Sequence, residues 1–305
     1  MRKSAMWVGA AVVVALLAGC GSDADESAAP SSSDNPPSSD NPLNAMLPDA
    51  IRASGRLNVG NSPVYPPMSY LPEGTEDKEK RQGFDVDLAR AIGDKLGVKV
   101  ALVTQEYEQY IPSLATGRID LVHSAMQDLE SRRETVDFVD YYTTGPQLFG
   151  LADKVGGFST EADVCGQKVA VDSGDTGYRN ALSEFSKNVC AAAGKPAIQE
   201  LTTNGTADAL LQLEQGRADV GIRGAESIRY VVNEQSPGKY ALIGKPIAEI
   251  PVGIAVSKKQ NELRDAVAAA LKALMEDGSY AKLGEKWGLS DILRPAVTIN
   301  GQSAG

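Results

Sequence analysis

The sequence predicts an α/β protein built as two similar lobes with a cleft between them. Three observations carry this expectation. From Ile51 onward, strand-like and helix-like segments alternate, the pattern that packs helices around a mostly parallel sheet. A short motif that closes one helix and opens a strand, Thr116-Gly117-Arg118-Ile119-Asp120-Leu121, returns as Gln215-Gly216-Arg217-Ala218-Asp219-Val220. The chain of 305 residues is also long enough for about two domains.

In chain order, Arg2 and Lys3 precede an apolar run from Ala5 to Ala18 that is short for a membrane span, and Leu17-Ala18-Gly19-Cys20 follows. A basic start, an apolar centre and a small-residue end make a secretory signal. Its cysteine points to the lipoprotein type, residues 1–19 being removed and Cys20 acylated. More than one acyl chain on a single residue would anchor the protein stably. Residues 20–50 are the lipidated cysteine and a Ser/Pro-rich stretch with few large apolar side chains, expected to be a flexible linker.

Lobe 1 is expected to hold residues 51–148 and 252–305, and lobe 2 residues 149–251. Leu57-Asn58-Val59 reads as a strand, Gly60 to Tyr70 as a Pro-rich loop, and Phe84 to Leu96 as a helix. Leu88, Ala91, Ile92 and Leu96 share one face of that helix, and Gly97 stands where a C-cap glycine belongs. Val98 to Val103 is the next strand. Ile111 and Leu114 precede the first motif as Leu210 and Leu213 precede the second. After lobe 2, Ile254-Ala255-Val256 reads as a strand and Glu262 to Met275 as an amphipathic helix. Leu283, Trp287 and Leu289 continue the apolar face. The chain is expected to return to lobe 1 here, so that two crossings flank the cleft.

Composition narrows the function. Hydrophobic residues at 42% and charged residues at 23% are ordinary for a soluble globular protein. The formal charge is −10, and loss of Arg2 and Lys3 with the signal leaves 28 basic against 40 acidic side chains, or −12. Such a surface repels nucleic acid. The two remaining cysteines, Cys165 and Cys190, are expected to pair in an exported chain, closing a loop of 24 residues. One histidine, His123, is too few for a zinc site and is expected to be packed. No nucleophile–base pair, phosphate loop or metal cluster appears, so neither an enzyme nor a cofactor is expected.

Gly83-Phe84-Asp85-Val86-Asp87-Leu88-Ala89, Tyr65-Pro66-Pro67, Ile111-Pro112-Ser113-Leu114, Arg132 with Val136-Asp137-Phe138, Gly166-Gln167-Lys168-Val169-Ala170-Val171, Val252-Gly253-Ile254-Ala255-Val256 and Asp277-Gly278-Ser279-Tyr280 occur in this order. Together they resemble the amino-acid-type solute-binding proteins of ABC importers, solute-binding protein family 3, over roughly residues 51–290. The resemblance implies a type II periplasmic-binding-protein fold, with a mixed sheet flanked by helices in each lobe. It also implies a small carboxylate-bearing ligand, an amino acid or a derivative, held between the lobes of a monomer that serves a permease and ATPase.

Carried over residue by residue, the resemblance makes Arg132 the grip on the ligand's α-carboxylate, a role its planar guanidinium suits. It makes Tyr65 and Tyr107 the aromatic pair around the ligand, although Tyr107 fits the core equally well. Ser124 and backbone groups around Met126 add polar contacts. In lobe 2, Gly174-Asp175-Thr176 stands where the family has Gly-Thr-Thr or Gly-Ser-Thr. Thr176 and the amides of a helix start can still meet a carboxylate; Asp175 would repel it, or serve as an N-cap. The family's ammonium-binding aspartate falls on Gly224, preceded by Arg223. Asp175, Asp128 or Glu226 could replace it, or the ligand could be a secondary amine, a betaine or a second carboxylate meeting Arg223. A dehydratase resembling cyclohexadienyl dehydratase and a ligand-sensing receptor are the alternatives on the same fold.

Overall fold

The computed structural model describes residues 41–303, Ser159 apart. The predicted signal and Cys20 lie outside them. Among the described residues no helix is long and apolar enough to cross a membrane.

Two mixed sheets form the two lobes. The larger has seven strands: β1 (Arg56–Gly60), β4 (Lys99–Val103), β5 (Leu121–Val122), β6 (Val136–Thr144), β12 (Ile250–Ser257), β13 (Leu293–Ile299) and β14 (Gln302–Ser303). Their order is β14-β13-β6-β12-β5-β1-β4. β1 runs parallel to β4 and β5, while β12 is antiparallel to β5 and β6. The smaller sheet takes β7 (Pro146–Leu151), β8 (Lys168–Asp172), β9 (Gln199–Thr203), β10 (Val220–Gly224) and β11 (Tyr240–Ile243) in the order β11-β7-β10-β8-β9. A two-stranded hairpin, β2 (Val64–Tyr65) with β3 (Ser69–Tyr70), interrupts the expected Pro-rich loop. The chain crosses between the sheets twice, from β6 to β7 and from β11 to β12.

Both sheets are covered on both faces, as the near-continuous burial of β6, β10 and β12 requires when successive side chains point to opposite faces. In β6, Val136 and Phe138 pack with Tyr110, Leu114 and Met126, while Val139 and Tyr141 face Phe84, Leu88 and Leu271. In the smaller sheet, Val169 and Val171 meet Tyr178 and Leu182, and Ala170 turns to Ala209 and Leu213. The helix Phe84–Leu96 starts after Gly83 and ends at Gly97 in the left-handed conformation, with Asp85 and Asp87 in its first turn and Lys95 in its last, each matching the helix dipole.

The repeated motif has a structural reason. Gly117 and Gly216 each end a helix with φ near +70° and +65°, a region that favours glycine. Three residues later, Asp120 accepts the backbone N–H of Asn58 in β1 at 2.7 Å, and Asp219 accepts that of Lys168 in β8 at 3.0 Å. Each acid pins a strand of its own sheet, Asp120 holding β1 and Asp219 holding β8.

One expectation needs correction. Residues 42–50 are not linker: Asn41 caps the short helix Pro42–Ala45, Asn44 donates to the Leu96 carbonyl at 2.7 Å, and Leu47 is buried. Leu43 and Leu47 supply the apolar contact that the composition of the stretch as a whole hides. The segment after Trp287 ends in β13 and β14. The pairing with β6 slips between Leu293 and Thr298, around Pro295, where a residue without an N–H is tolerated.

Cys165 and Cys190 form a disulfide with Cα atoms 5.5 Å apart. Closing 25 residues of chain stabilises by roughly 3–4 kcal/mol in the chain-entropy model. Reduction should therefore lower the thermal midpoint, and intact-mass analysis of protein purified without reductant should show no free thiol at either position.

Candidate functional site

Between the lobes lies a cavity of about 610 Å³, with Ser62 to Tyr65, Gln105 to Glu108, Ser124, Ala125 and Gln127 contributing from lobe 1, and Asp172 to Asp175, Tyr178 and Arg223 from lobe 2. Tyr65, Tyr107, Ser124, Asp175 and Arg223 of the sequence expectation are on its wall. Arg132, Met126 and Thr176 are not.

Each tyrosine carries an arginine of the protein on its ring. Arg132 stands 5.5 Å from the Tyr107 centroid and Arg223 stands 5.4 Å from that of Tyr65, the geometry of a cation–π contact. Burial raises the Tyr107 phenol to about 12, although Arg132 pulls it down. Arg132 spends one guanidinium nitrogen on the Gln127 carbonyl at 2.9 Å and another on the Gly174 carbonyl at 3.4 Å. Ser124 Oγ accepts from the Tyr110 hydroxyl at 3.1 Å and the Ser62 N–H at 3.3 Å.

Met126 and Thr176 are corrections. Met126 is 1% exposed in the core against Tyr110 and Phe138, and its carbonyl is taken by the Gly253 N–H at 3.0 Å. The chain turns at Ala125, where φ is +49°, and sends the next side chain inward. Thr176 opens the helix Thr176–Phe185 but faces outward.

Asp175 occupies the N-cap position of that helix without capping it. Its carboxylate goes instead to Arg223 at 3.0 Å and to Gln127 Nε2 at 3.3 Å. Burial raises Asp175 to about 6, and the Arg223 guanidinium opposes this. Arg223, 4% exposed, also pairs with Asp172 at 3.3 Å, and its Nε is buried without a hydrogen-bond partner among the described residues. Asp128 is spent on Arg133 through contacts of 2.5 and 2.6 Å.

Gly224 has no room for the aspartate expected from the family. A Cβ there would stand 2.3 Å from Tyr65 Oη, 2.5 Å from Glu226 Oε1 and 2.6 Å from Tyr178 Oη, closer than real contacts allow. Glu226 fills this space from two residues further on. It is 5% exposed and accepts hydroxyl donors from Tyr65 at 3.1 Å, Tyr142 at 3.4 Å and Thr144. Burial pushes its carboxyl up, and the three hydroxyls pull it down.

Behind the wall, Asp85 holds the loop. Its carboxylate accepts the Ala125 N–H at 2.8 Å and the Tyr141 hydroxyl at 2.7 Å, with His123 Nε2 at 3.7 Å. His123 is packed, as expected; burial lowers it to about 3 and raises Asp85 to about 7. An aspartate in an unfolded chain titrates near about 3.9, so folding takes up a proton between that pH and about 7. Asp85 thus contributes stability that is fully present below about 4 and lost as pH rises through about 7. The buried His123 acts in the opposite sense, losing stability as pH falls below about 6.5. Subtracting the pH–stability curve of Asp85→Asn from that of the parent should isolate the first effect. A difference curve flat from pH 4 to 7 would refute it.

Two lobes joined by two crossings around a cavity of this size are the architecture of a small-molecule receptor. The family model for the bacterial extracellular solute-binding proteins, family 3, matches residues 57–290, and the chain belongs to that family. It is a solute-binding protein, not an enzyme. An arginine-binding protein of Corynebacterium glutamicum is 28% identical over 260 residues, covering 85% of this chain and 83% of that protein. A mutant of the ArgBP of T. maritima has a TM-score of 0.67 at 31% identity, covering 79% of this chain and 98% of the other. An ancestral amino-acid-binding protein described as a precursor of cyclohexadienyl dehydratase also gives 0.67, at 30% identity and with 78% and 98% covered.

Proposed function

We propose that the chain captures a small amino acid or amino-acid derivative by its carboxylate in the interlobe cleft and delivers it to the permease and ATPase of an importer. The observation that carries this reading is the convergence of Tyr65, Tyr107, Asp175 and Arg223 on one cavity, with Arg132 packed over Tyr107 at its edge. Four carboxylates, Glu106, Glu108, Asp172 and Asp175, share its wall with two cations, Lys78 and Arg223. That balance favours a ligand with a positively charged end, and arginine-binding relatives support the same choice.

A thermal-shift panel of L-arginine, L-lysine, L-glutamine, L-cystine and glycine betaine tests the reading. Ligand that binds only the folded state raises the midpoint, and the largest rise is expected from a cationic amino acid. A midpoint unmoved by every compound would overturn it. The protein works outside the cytoplasm, tethered through Cys20. Cys20→Ser should release it from membranes, and equal membrane retention with unchanged lipid labelling would count against the anchor.

A further inference from the structure

The side chain of Gln127 crosses the cleft. It leaves lobe 1 from the same turn as Ala125, is 2% exposed, and reaches the start of the helix Thr176–Phe185 in lobe 2. Its Oε1 accepts the N–H of Gly177 at 3.2 Å, and its Nε2 donates to Asp175 Oδ1 at 3.3 Å. A first-turn N–H has no acceptor within its own helix, so the carboxamide satisfies a donor that would otherwise wait for water or an anion. The fit is close. A Cβ on Gly177 would stand 2.7 Å from Oε1 and 3.2 Å from Cδ of Gln127, so glycine is what lets the amide in. The backbone carbonyl of Gln127 meanwhile holds Arg132.

The carboxylate seat expected from Arg132 and the helix amides is thus filled by a neutral group of the protein itself. A carboxamide presents an acceptor and a donor on one carbon. The head group of an α-amino acid presents the same pair in charged form, a carboxylate beside an ammonium. We propose that Gln127 is a specificity-determining residue, its carboxamide holding the place of an α-amino-acid head group, with Gly177 N–H as the carboxylate seat and Asp175 Oδ1 as the ammonium seat. This rests on the reading that the cleft binds an amino acid. It also supplies the ammonium partner that Gly224 cannot.

The energetics follow from charge. A carboxylate on the Gly177 N–H and on Arg132 makes charge-assisted bonds, stronger than those of the amide it displaces. Beside Asp175, however, a carboxylate alone is repelled. Only a ligand that brings a cation to Asp175 Oδ1 replaces both bonds of the Gln127 amide. Asp175 Oδ2 stays with Arg223. The cleft therefore selects for adjacent carboxylate and ammonium groups, and against a ligand that has one without the other.

Calorimetry with three probes tests this: L-arginine, agmatine, which lacks the carboxylate, and 5-guanidinopentanoic acid, which lacks the amine. Gln127→Ala removes the internal competitor and should bind L-arginine about tenfold more tightly, with no comparable gain for the other two. Asp175→Asn should weaken L-arginine by at least about tenfold and leave 5-guanidinopentanoic acid within about threefold. Unchanged or weaker L-arginine binding by Gln127→Ala, or an Asp175→Asn variant that loses both acids equally, overturns the proposal. Should the parent protein bind none of the probes, the preference for a cationic amino acid fails on its own account. The Gln127 contact is then judged by amide exchange of the ligand-free protein. Gly177 should exchange at least about tenfold faster in Gln127→Ala, and unchanged protection would overturn the contact.

Discussion

Arg132→Ala should weaken ligand binding by roughly 30-fold to several thousand-fold, equivalent to about 2–5 kcal/mol, while leaving the fold intact. The size follows from what remains. A carboxylate carried into a closed cleft keeps its desolvation cost when its guanidinium partner is removed. The fold should survive because the Arg132 side chain meets two carbonyls and one ring, at 2.9, 3.4 and 5.5 Å, and belongs to neither sheet. Arg132→Lys should recover little, since a point charge cannot make two parallel bonds to a carboxylate. Calorimetry with the best compound from the thermal-shift panel decides the matter. Equal affinity in parent and Arg132→Ala would show that the carboxylate sits elsewhere.

Glu226→Ala carries the second large effect, on the join between the lobes. Glu226 belongs to the helix Ala225–Tyr230 of lobe 2, and its three hydroxyl donors, Tyr65, Tyr142 and Thr144, all come from lobe 1. No cation lies within ion-pair distance of it among the described residues. Truncation removes the acceptor those buried hydroxyls share, at about 1–3 kcal/mol for each one left unsatisfied before relaxation. Thr144 has a second partner in the Tyr178 hydroxyl at 3.4 Å. With relaxation and water entry, a net loss of about 2–4 kcal/mol is expected. It should appear first as separation of the lobes and second as a lower midpoint, because neither sheet's core is touched. Small-angle scattering should therefore show a larger radius of gyration for Glu226→Ala, with Glu226→Gln close to the parent. Identical scattering from parent and Glu226→Ala would contradict the assignment.

The parts of the molecule that depend on local pattern were legible in the sequence. Gly97, the Phe84–Leu96 face and the repeated Gly-Arg-x-Asp motifs announce their elements because caps, periodicity and left-handed glycines act within a few residues. Arg132 was singled out by its spacing from Ala125-Met126 and Asp137-Phe138, and its guanidinium lies over Tyr107, a residue of the cavity wall. Gln127 gave no such signal, and Glu226 was named only as one of three acids that could replace the missing aspartate, not as a bridge between the lobes. Their partners are 50 and up to 161 residues away in the chain, and a glutamine or glutamate on an ordinary element looks like surface. Only apposition of the two lobes turns them inward.

Gly224 shows both sides of this. Its lack of a side chain was visible at once, and it placed an ordinary ammonium site in doubt. The reason lay in space: Tyr65, Tyr178 and Glu226 crowd the position from three elements. Asp175 was read as an N-cap, a repulsive neighbour or one of three acids that could replace the missing ammonium partner. Its carboxylate makes no cap and pairs instead with Arg223 and Gln127. Met126 misled because sequence adjacency to Ser124 and Ala125 says nothing of which face a left-handed turn presents.

The most direct test of the cleft as a carboxylate-capturing site is mass spectrometry of small molecules released by denaturing the purified full chain, with Arg132→Ala purified alongside. The account predicts one dominant species bearing a carboxylate and a cationic nitrogen in the parent, and its loss from the variant. A dominant ligand without a carboxylate, or equal recovery from both proteins, would contradict it.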